Sequence, residues 1–396
     1  MNDAIARTGV PWKIFLKDIF VCSLGAFGGP EAHYGVFTDQ MVTKKNYLTE
    51  EELVELIALC SFLPGPSSTQ TIVAIGHKVG GPWLALLTML VWALPALIIM
   101  TTLSFLYQFL DAQQISTDIL RYIGPMAVGF ILLASYKIGK KVVKDNLTFS
   151  LLVFGAVTTY FIRDPWIFPL VLLIGGLVSV LASKETDLWY RVKLNPPYPY
   201  LALLLFFTIG SLVLATVFNN QLIDLFERFY RYGYLVFGGG QVVVPVMYSE
   251  LVDVNQLMTS QEFLTGYGLV QGMPGPMFSF SAYAGGMAIQ NGSILQQIGG
   301  AMAGGIGIFL PGLLLIYFVY PMWENLKKIK GMRVALKGVA AVAGGLIAIA
   351  AVILTQQSGI VWDNILVTLV TLLLLSTKKV PAPLIVGLVI LTGFLF

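Results

Sequence analysis

Long apolar stretches separated by short polar connections make up nearly the whole of this chain. Many are long enough for a membrane-crossing helix, and none shows the ten-residue alternation of a membrane barrel strand. The pattern therefore predicts an all-α polytopic membrane protein with about thirteen hydrophobic segments. The predicted segments cover residues 12–28, 53–76, 83–109, 122–142, 147–163, 165–183, 199–218, 226–246, 263–289, 294–320, 336–355, 360–376 and 380–396.

Composition supports a membrane protein. The chain is 57% hydrophobic and 11% charged, and its mean hydropathy is +0.80, whereas a soluble domain carries about 25% charged residues. Cys22 and Cys60 lie in apolar stretches and form no CxxC pair, so neither a disulfide framework nor a metal site is predicted. No run of like charges indicates nucleic-acid binding, and we expect no cleaved signal peptide.

Two of the apolar segments are interrupted by the same three residues, Pro64-Gly65-Pro66 in one and Pro274-Gly275-Pro276 in the other. Proline has no N–H and its ring clashes with the carbonyl four residues earlier, so a helix cannot run through it undisturbed. Backbone groups freed at membrane depth must be received by protein or by a water-filled cavity. The pattern therefore indicates helices broken at a transport site.

A shift of 210 residues superimposes the two interruptions and much of their surroundings. It aligns Phe27-Gly28-Gly29 with Phe237-Gly238-Gly239, and thirteen of fifty positions in 27–76 are identical without a gap. The chain is therefore predicted to be an internal duplication. We divide it into an N-terminal repeat, residues 1–195, and a C-terminal repeat, residues 196–396.

Segment parity and the placement of positive charge predict that the two repeats are inverted relative to each other. Equivalent segments lie an odd number apart, and lysine and arginine favour the cytoplasmic side. Four lysines lie in 137–144 whereas the equivalent loop near 356–362 has none, and five basic residues in 327–337 correspond to Arg121 alone. We expect a multi-pass protein of the cytoplasmic membrane with its N-terminus inside. If the broken segments are re-entrant hairpins, the inversion requires that an odd number of crossings still separates the repeats.

The helix start after the first break is the predicted oxyanion site. The N–H groups of Ser67, Ser68 and Thr69, their hydroxyls and the Gln70 amide offer donors at the positive end of a helix. The second copy has Met277, Phe278 and Ser279 there, so it is expected to contribute more of an apolar wall. The paired glycines Gly28 and Gly29, and Gly238 and Gly239 with the adjacent Gln241, are predicted to be unwound backbone facing the breaks.

A dianion needs more positive charge than two helix ends supply, since each is worth roughly half a unit. The candidates for charge or proton coupling are His33, His77, Lys78 and Glu31, of which Glu31 is the expected intramembrane proton carrier. Asp18 is a weaker candidate. Glu52 and Glu262 follow threonines in capping-box spacing, so we assign them to helix starts.

The paired motifs resemble the chromate ion transporter family in its long, two-domain form. FGGPEAH at 27–33 and PGPSSTQ at 64–70 return as FGGGQ at 237–241 and PGPMFS at 274–279. The resemblance implies a cytoplasmic-membrane exporter of chromate, with sulfate as a similar tetrahedral dianion, and inverted halves. The residues it carries over are Gly28, Gly29, Pro30, Pro64, Gly65, Pro66, Gly238, Gly239, Pro274, Gly275 and Pro276. Gly240 stands in the place of Pro30, and Gln241 in the place of Glu31.

The prediction is a secondary transporter of tetrahedral oxyanions, not an enzyme, and it implies no cofactor. Proton-coupled chromate efflux is the leading interpretation; a sulfate uptake system and an anion channel are the alternatives within transport. A membrane-embedded enzyme acting on a lipid is a more distant one, because no catalytic motif appears. The sequence does not decide between a monomer and a homodimer.

Overall fold

The computed structural model describes residues 10–113, 119–164, 166–189, 192, 194–237 and 240–395, and within these ranges it contains helices and no strand. The prediction of an all-helical protein is confirmed. The helices are α1 (Trp12–Gly25), α2 (Pro30–Phe37), α3 (Glu50–Phe62), α4 (Ser67–Ala112), α5 (Ile123–Val142), α6 (Asn146–Phe161), α7 (Ile167–Leu181), α8 (Tyr198–Val217), α9 (Gln221–Leu235), α10 (Val243–Tyr248), α11 (Ser260–Gln271), α12 (Phe280–Met287), α13 (Ile294–Val319), α14 (Trp323–Leu326), α15 (Lys330–Gln357), α16 (Trp362–Thr377) and α17 (Ala382–Leu395).

The first two helices form an antiparallel hairpin, which we call hairpin H1 (residues 12–47). Its tip is the stretch 26–29, and π-helical turns over Thr38–Lys44 lengthen its second arm. Near the base, Asp18 on the first arm pairs with Lys45 at 2.9 Å and accepts a hydrogen bond from the Tyr47 hydroxyl at 2.6 Å. The chain therefore leaves H1 at the end where it entered.

The first Pro-Gly-Pro sequence is the tip of a second hairpin, H2 (residues 50–79). Its first arm, α3, starts with the predicted capping box, since Thr49 and Glu52 each receive the other's backbone N–H. The second arm is the beginning of α4, and Lys78 at its end pairs with Glu52 at 2.9 Å. Segment 53–76, predicted as one interrupted segment, is thus two antiparallel arms whose ends lie together.

Helix α4 continues beyond H2 through a sharp turn. Gly80 and Gly81 have non-helical dihedrals, and Gly81 has φ +76°, a value that glycine adopts without a side-chain clash. The remainder of α4, residues 82–112, is packed back against the second arm of H2, with the Thr88 side chain against Gly76.

The second half repeats both hairpins, as H3 (residues 221–255) and H4 (residues 260–290). A buried ion pair, Arg231 with Glu250 at 2.9 Å, joins the arms of H3. In H4, Gln290 donates to Glu262 at 3.0 Å, and the predicted second capping box is present at Thr259. The backbone repeats in detail, since the shift of 210 residues also relates positive-φ positions: Asn46 at 49° and Gln256 at 50°, and Gly65 at 118° and Gly275 at 96°.

Two long helices connect the bases of H2 and H4. At one end, the Tyr317 hydroxyl of α13 donates to the Pro82 carbonyl at 2.5 Å, next to the base of H2. At the other end, Gln108 of α4 donates to the Gln290 carbonyl at 3.0 Å, at the base of H4. Residues 82 and 108 of a helix lie about 39 Å apart at 1.5 Å per residue, which is close to the full thickness of a bilayer. The bases of H2 and H4 therefore lie at opposite ends of these helices.

The helices α4, α8, α15 and Ile294–Leu326 are long and apolar enough to cross a membrane, and α6, α7, α16 and α17 are shorter apolar helices. Small residues let them pack closely, as membrane helices do. Gly155 and Gly175 both face Val342 of α15, and Gly345 of α15 faces the Leu152 carbonyl. Helix α13 packs against α9 of H3 and α12 of H4, and α15 packs against α5, α6 and α7.

Candidate functional site

The four hairpin tips meet through two backbone hydrogen bonds that are related by the internal repeat. The Gly65 N–H of H2 donates to the Val236 carbonyl of H3 at 2.7 Å, and the Gly275 N–H of H4 donates to the Ala26 carbonyl of H1 at 2.8 Å. Gly275 lies 210 residues after Gly65, and Val236 lies 210 residues after Ala26. The second bond is therefore the first bond with the roles of the two halves exchanged. The two bonds thus form a reciprocal pair between the halves.

Side chains join neighbouring tips within each half. In the first half, His33 Nδ1 of H1 lies 3.0 Å from the Ser68 Oγ of H2. In the second half, Gln241 of H3 donates to the Met277 sulfur of H4 at 3.2 Å. Each hairpin touches two others, so the tips form a closed ring.

In both H1 and H2, the second arm is a helix that begins at this ring of tips. Gly28 and Gly29 turn the chain at the H1 tip with φ of 84° and 90°, and α2 starts at Pro30 directly after them. A helix N-terminus carries free N–H groups and roughly half a positive charge. The second arms of H1 and H2 therefore both start at the tips, and two positive helix ends lie beside each other, at His33 and Ser68.

The start of α4 lacks a side chain that would cap it. Pro66 is the capping residue and makes no side-chain bond, and the first helical bond runs from the Gln70 N–H to the Pro66 carbonyl at 2.8 Å. The N–H groups of Ser67, Ser68 and Thr69 precede that bond, so they have no partner within the helix.

The side chains of the predicted donor set are engaged with other parts of the protein. Besides the contact of Ser68 with His33, Thr69 accepts a hydrogen bond from the Trp92 indole at 3.2 Å. Gln70 donates to the Pro64 carbonyl at 2.8 Å, which satisfies a backbone group at the break. Ser67 is half-buried. The donors left at this tip are thus the backbone N–H groups together with hydroxyls that keep a proton free, as Thr69 does when it accepts from Trp92.

The four charge-coupling candidates fall into two groups. Glu31 is exposed at the H1 tip, and His33 is 1% exposed and joins H1 to H2. His77 and Lys78 lie at the base of H2, about 15 Å along the helix from Ser67. There the His77 ring packs 4.8 Å from the Tyr320 ring, and Lys78 forms its ion pair with Glu52.

The second-half residues form a less polar surface at their tips. The Tyr267 hydroxyl donates to Gln241, whose amide group also holds Met277. Ser279 is fully buried, and its hydroxyl has no hydrogen-bond partner. Pro274 and Pro276 flank Gly275 as predicted. Gly238 and Gly239 lie outside the described residues.

The predictions missed a buried ionic cluster near the base of H3. Arg231 makes two hydrogen bonds to Glu227 and two to Glu250, and Arg228 also pairs with Glu250. Three charged residues inside the apolar segment 226–246 were the available signal, because ionisable residues are rare in membrane helices. The cluster joins the two arms of H3, as the smaller Asp18 cluster does in H1.

In the part of the chain that the structure describes, no group of three or more histidine, cysteine or acidic residues could hold a metal ion. A surface cavity lies along α3, away from the tips, and Glu50, Glu51 and Glu55 line it together with Lys327. Three carboxylates against one ammonium group do not suit an anionic ligand.

The chain matches the family model described as chromate transporter over residues 12–180 and again over residues 223–394. It is 27% identical to a probable chromate transport protein of Synechococcus elongatus, over 100% of this chain and 99% of that one. It is 27% identical to a chromate transport protein of Cupriavidus metallidurans, over 93% of this chain and 88% of that one. A chromate transport protein of Pseudomonas aeruginosa is 26% identical, over 84% of this chain and 78% of that one. No solved structure matches the chain at a significant level.

Proposed function

This chain belongs to the chromate transporter family, and on that basis we propose that it exports chromate across the cytoplasmic membrane by alternating access. Family membership supports a role in chromate transport. The proteins to which this chain is similar are named transport proteins. This agrees with the prediction of a transporter rather than a membrane-embedded enzyme. The direction of transport, the coupling and the site are our proposal.

One observation carries the proposed site: α4 begins without a side-chain cap at the point where the hairpin tips meet. The N–H groups of Ser67, Ser68 and Thr69 are the donors, with the adjacent start of α2 as a second positive end. Tetrahedral oxyanions present oxygens in every direction, so N–H groups from two helix starts suit them. We place the substrate against the first-half tips, with Gln241, Ser279 and the residues of the second break forming the opposite wall.

Alternating access requires two states that expose this site to opposite faces, and inverted repeats supply them in many transporters. The opposite bases of H2 and H4 and the exchange of roles in the two backbone bonds support an inversion. Lysines at the end of α5 and basic residues at the start of α15 are exposed, and the two ends lie near each other, since Lys337 of α15 interacts electrostatically with Asp145, which follows α5. Because positive residues favour the cytoplasm, we assign this end, and the N-terminus, to the cytoplasmic side.

Proton coupling follows from the charge at the tips. The two first-half helix starts offer about one positive charge, which leaves a dianion about one charge short. In an exchanger the proton and the dianion are bound in alternate states, so the proton carrier must lie near the substrate site and be able to ionise. Glu31 meets both conditions, whereas Gln241, in the equivalent place, cannot ionise. We therefore propose that Glu31 carries the coupled proton and that His33 assists it.

The test is labelled oxyanion flux in proteoliposomes, with the pH set separately on each side. An exporter that exchanges chromate for protons should drive chromate out of the compartment that represents the cytoplasm when the opposite side is acidic. Stronger sulfate uptake under the same gradient would favour the alternative of an uptake system. Currents that reverse at the anion equilibrium potential without pH coupling would identify a channel.

A further inference from the structure

Trp92, on the part of α4 that follows H2, contacts H1 and H2, and its backbone lies close to H4. It is fully buried. Its ring packs edge-on against the His33 ring of H1, with centroids 5.4 Å apart, and its indole N–H donates to the Thr69 hydroxyl of H2. Its backbone also faces Gly275 of H4, where an added Cβ would lie 3.9 Å from the Trp92 carbonyl oxygen. One residue outside the hairpins thus lies where the proposed binding surface and the second break approach each other.

Thr69 differs from the other threonines of α4. Thr71, Thr88 and Thr101 each donate their hydroxyl to the carbonyl four residues earlier, at 2.6 to 2.8 Å. This back-bond satisfies the hydroxyl within its own helix. Thr69 instead accepts a hydrogen bond from the Trp92 indole N–H. Accepting that bond uses a lone pair of the oxygen and leaves the hydroxyl proton available to donate.

The second half has no counterpart of this arrangement. The equivalent of Trp92 is Met302, which is 57% exposed, and Ser279 occupies the place of Thr69 with its hydroxyl unpartnered. The indole–hydroxyl pair is therefore found where the proposed oxyanion donors are, and is missing from the half where we place the opposite wall.

We propose that Trp92 is a positioning residue for substrate binding: it holds the Thr69 hydroxyl as a hydrogen-bond donor to the oxyanion at the first-half tips. The proposal rests on the proposed function and names a side chain that acts through Thr69. A tetrahedral oxyanion without a proton accepts hydrogen bonds at all its oxygens, so a hydroxyl held as a donor favours it. A protonated oxyanion also needs an acceptor, which a hydroxyl held in this way does not offer.

A purely structural explanation must be separated from this one. A buried indole N–H needs a partner, so Thr69 could serve only to satisfy Trp92. In that case either single substitution would leave one buried polar group unpaired, and removing both groups together would restore the protein. If Thr69 binds the substrate, removing both groups would not restore binding.

The experiment is a double-mutant cycle on chromate flux in proteoliposomes, with Thr69→Val, Trp92→Phe and the two combined. Trp83→Phe is the matched control, because Trp83 lies on the same helix and is 72% exposed. We expect Thr69→Val to raise KM about tenfold, as for loss of a hydrogen bond to a charged group, and Trp92→Phe to raise it about threefold to tenfold. Vmax should change by less than about twofold in both, and inhibition by phosphate should become stronger relative to chromate in Trp92→Phe.

The combined variant decides between the explanations. A KM equal to that of Thr69→Val supports the proposal, whereas a KM that returns to the wild-type value, along with the thermal stability, overturns it. A Trp92→Phe variant with unchanged KM also overturns it. In that case, chromate flux by the wild-type protein still supports the proposed function. If the wild-type protein moves neither chromate nor sulfate, the proposed function fails and this inference fails with it.

Discussion

The two halves of this protein share the backbone of their hairpin tips and differ in the side chains at those tips. In the second half, a small cavity beside the H3 and H4 tips is lined by mainly apolar residues, among them Val243, Met277, Phe278 and Phe280. The first-half equivalents, 210 residues earlier, are His33, Ser67, Ser68 and Gln70. The breaks, the positive-φ positions and the reciprocal backbone bonds occur in both halves. The comparison indicates that the duplication supplies the architecture twice, whereas the polar chemistry lies in one half.

The largest expected effect tests the shared backbone, and it should be equal in the two halves. Gly65→Ala and Gly275→Ala each place a side chain at positive φ, and each added Cβ would lie 2.9 Å from a neighbour, Gln70 Nε2 or Ala96 Cβ. Strain and overpacking together should cost about 3 kcal/mol or more. We expect both variants to lose most transport and to melt at lower temperature.

Gly35→Ala is the control for this pair, because an added Cβ there meets nothing within 4 Å and alanine suits a helix. A Gly275→Ala variant that transports normally would show that the second break is not equivalent to the first.

In the next prediction, equivalent substitutions in the two halves should change the KM for chromate by different amounts. Ser67→Ala removes a hydroxyl from the first-half tip and should raise the KM for chromate about tenfold, the loss expected for one hydrogen bond to an anion. Ser279→Ala removes a buried hydroxyl that has no partner and should change KM less than about twofold. The measurement is initial flux against chromate concentration at matched protein density. Equal effects at the two positions would place the substrate between the halves rather than against the first.

A third prediction concerns Glu31 and Gln241, which occupy equivalent places. Glu31→Gln makes the two halves alike there, and we expect chromate flux to lose its dependence on pH while chromate–chromate exchange continues. The measurement is the ratio of net flux to exchange between pH 6 and pH 8. A wild-type pH profile in this variant would remove Glu31 as the proton carrier.

The smallest effect is expected at the base of H2. Lys78→Met breaks the ion pair with Glu52, whose partners are each 31% exposed, and pairs of that exposure contribute at most about 1 kcal/mol. We expect the KM for chromate to stay unchanged and the melting temperature to fall slightly. A large rise in KM would return Lys78 to the candidates for balancing the substrate's charge.

Local signals in the sequence predicted much of this fold. The capping boxes at Thr49 and Thr259 and the breaks at the two Pro-Gly-Pro sequences are as expected, because each depends on residues a few positions apart. The direction of the chain after a break is not a local property. Proline ends a helix equally well in a broken span and in a hairpin, and the Glu52–Lys78 pair, which distinguishes them here, joins residues 26 positions apart.

Side-chain roles at the site were harder to predict for the same reason. Gln70 follows the break in sequence and was assigned to the substrate, but its amide lies within reach of the Pro64 carbonyl. Trp92 carries no motif, and its importance follows from tertiary contacts with Thr69 and His33. Charge in an apolar segment would have identified Arg231, whose partner Glu250 is brought to it by the H3 hairpin.

The exchanged backbone bonds at the hairpin tips have a consequence for any shortened form of this protein. A polypeptide consisting of one half alone would keep the Gly65 amide and the Ala26 carbonyl but lose both of their partners, at several kcal/mol for each group left unsatisfied away from water. A second copy of that half would supply both missing partners at once. If the two halves are inverted, as we propose, half-length chains with these tips should work only as pairs that are inserted in opposite orientations across one membrane.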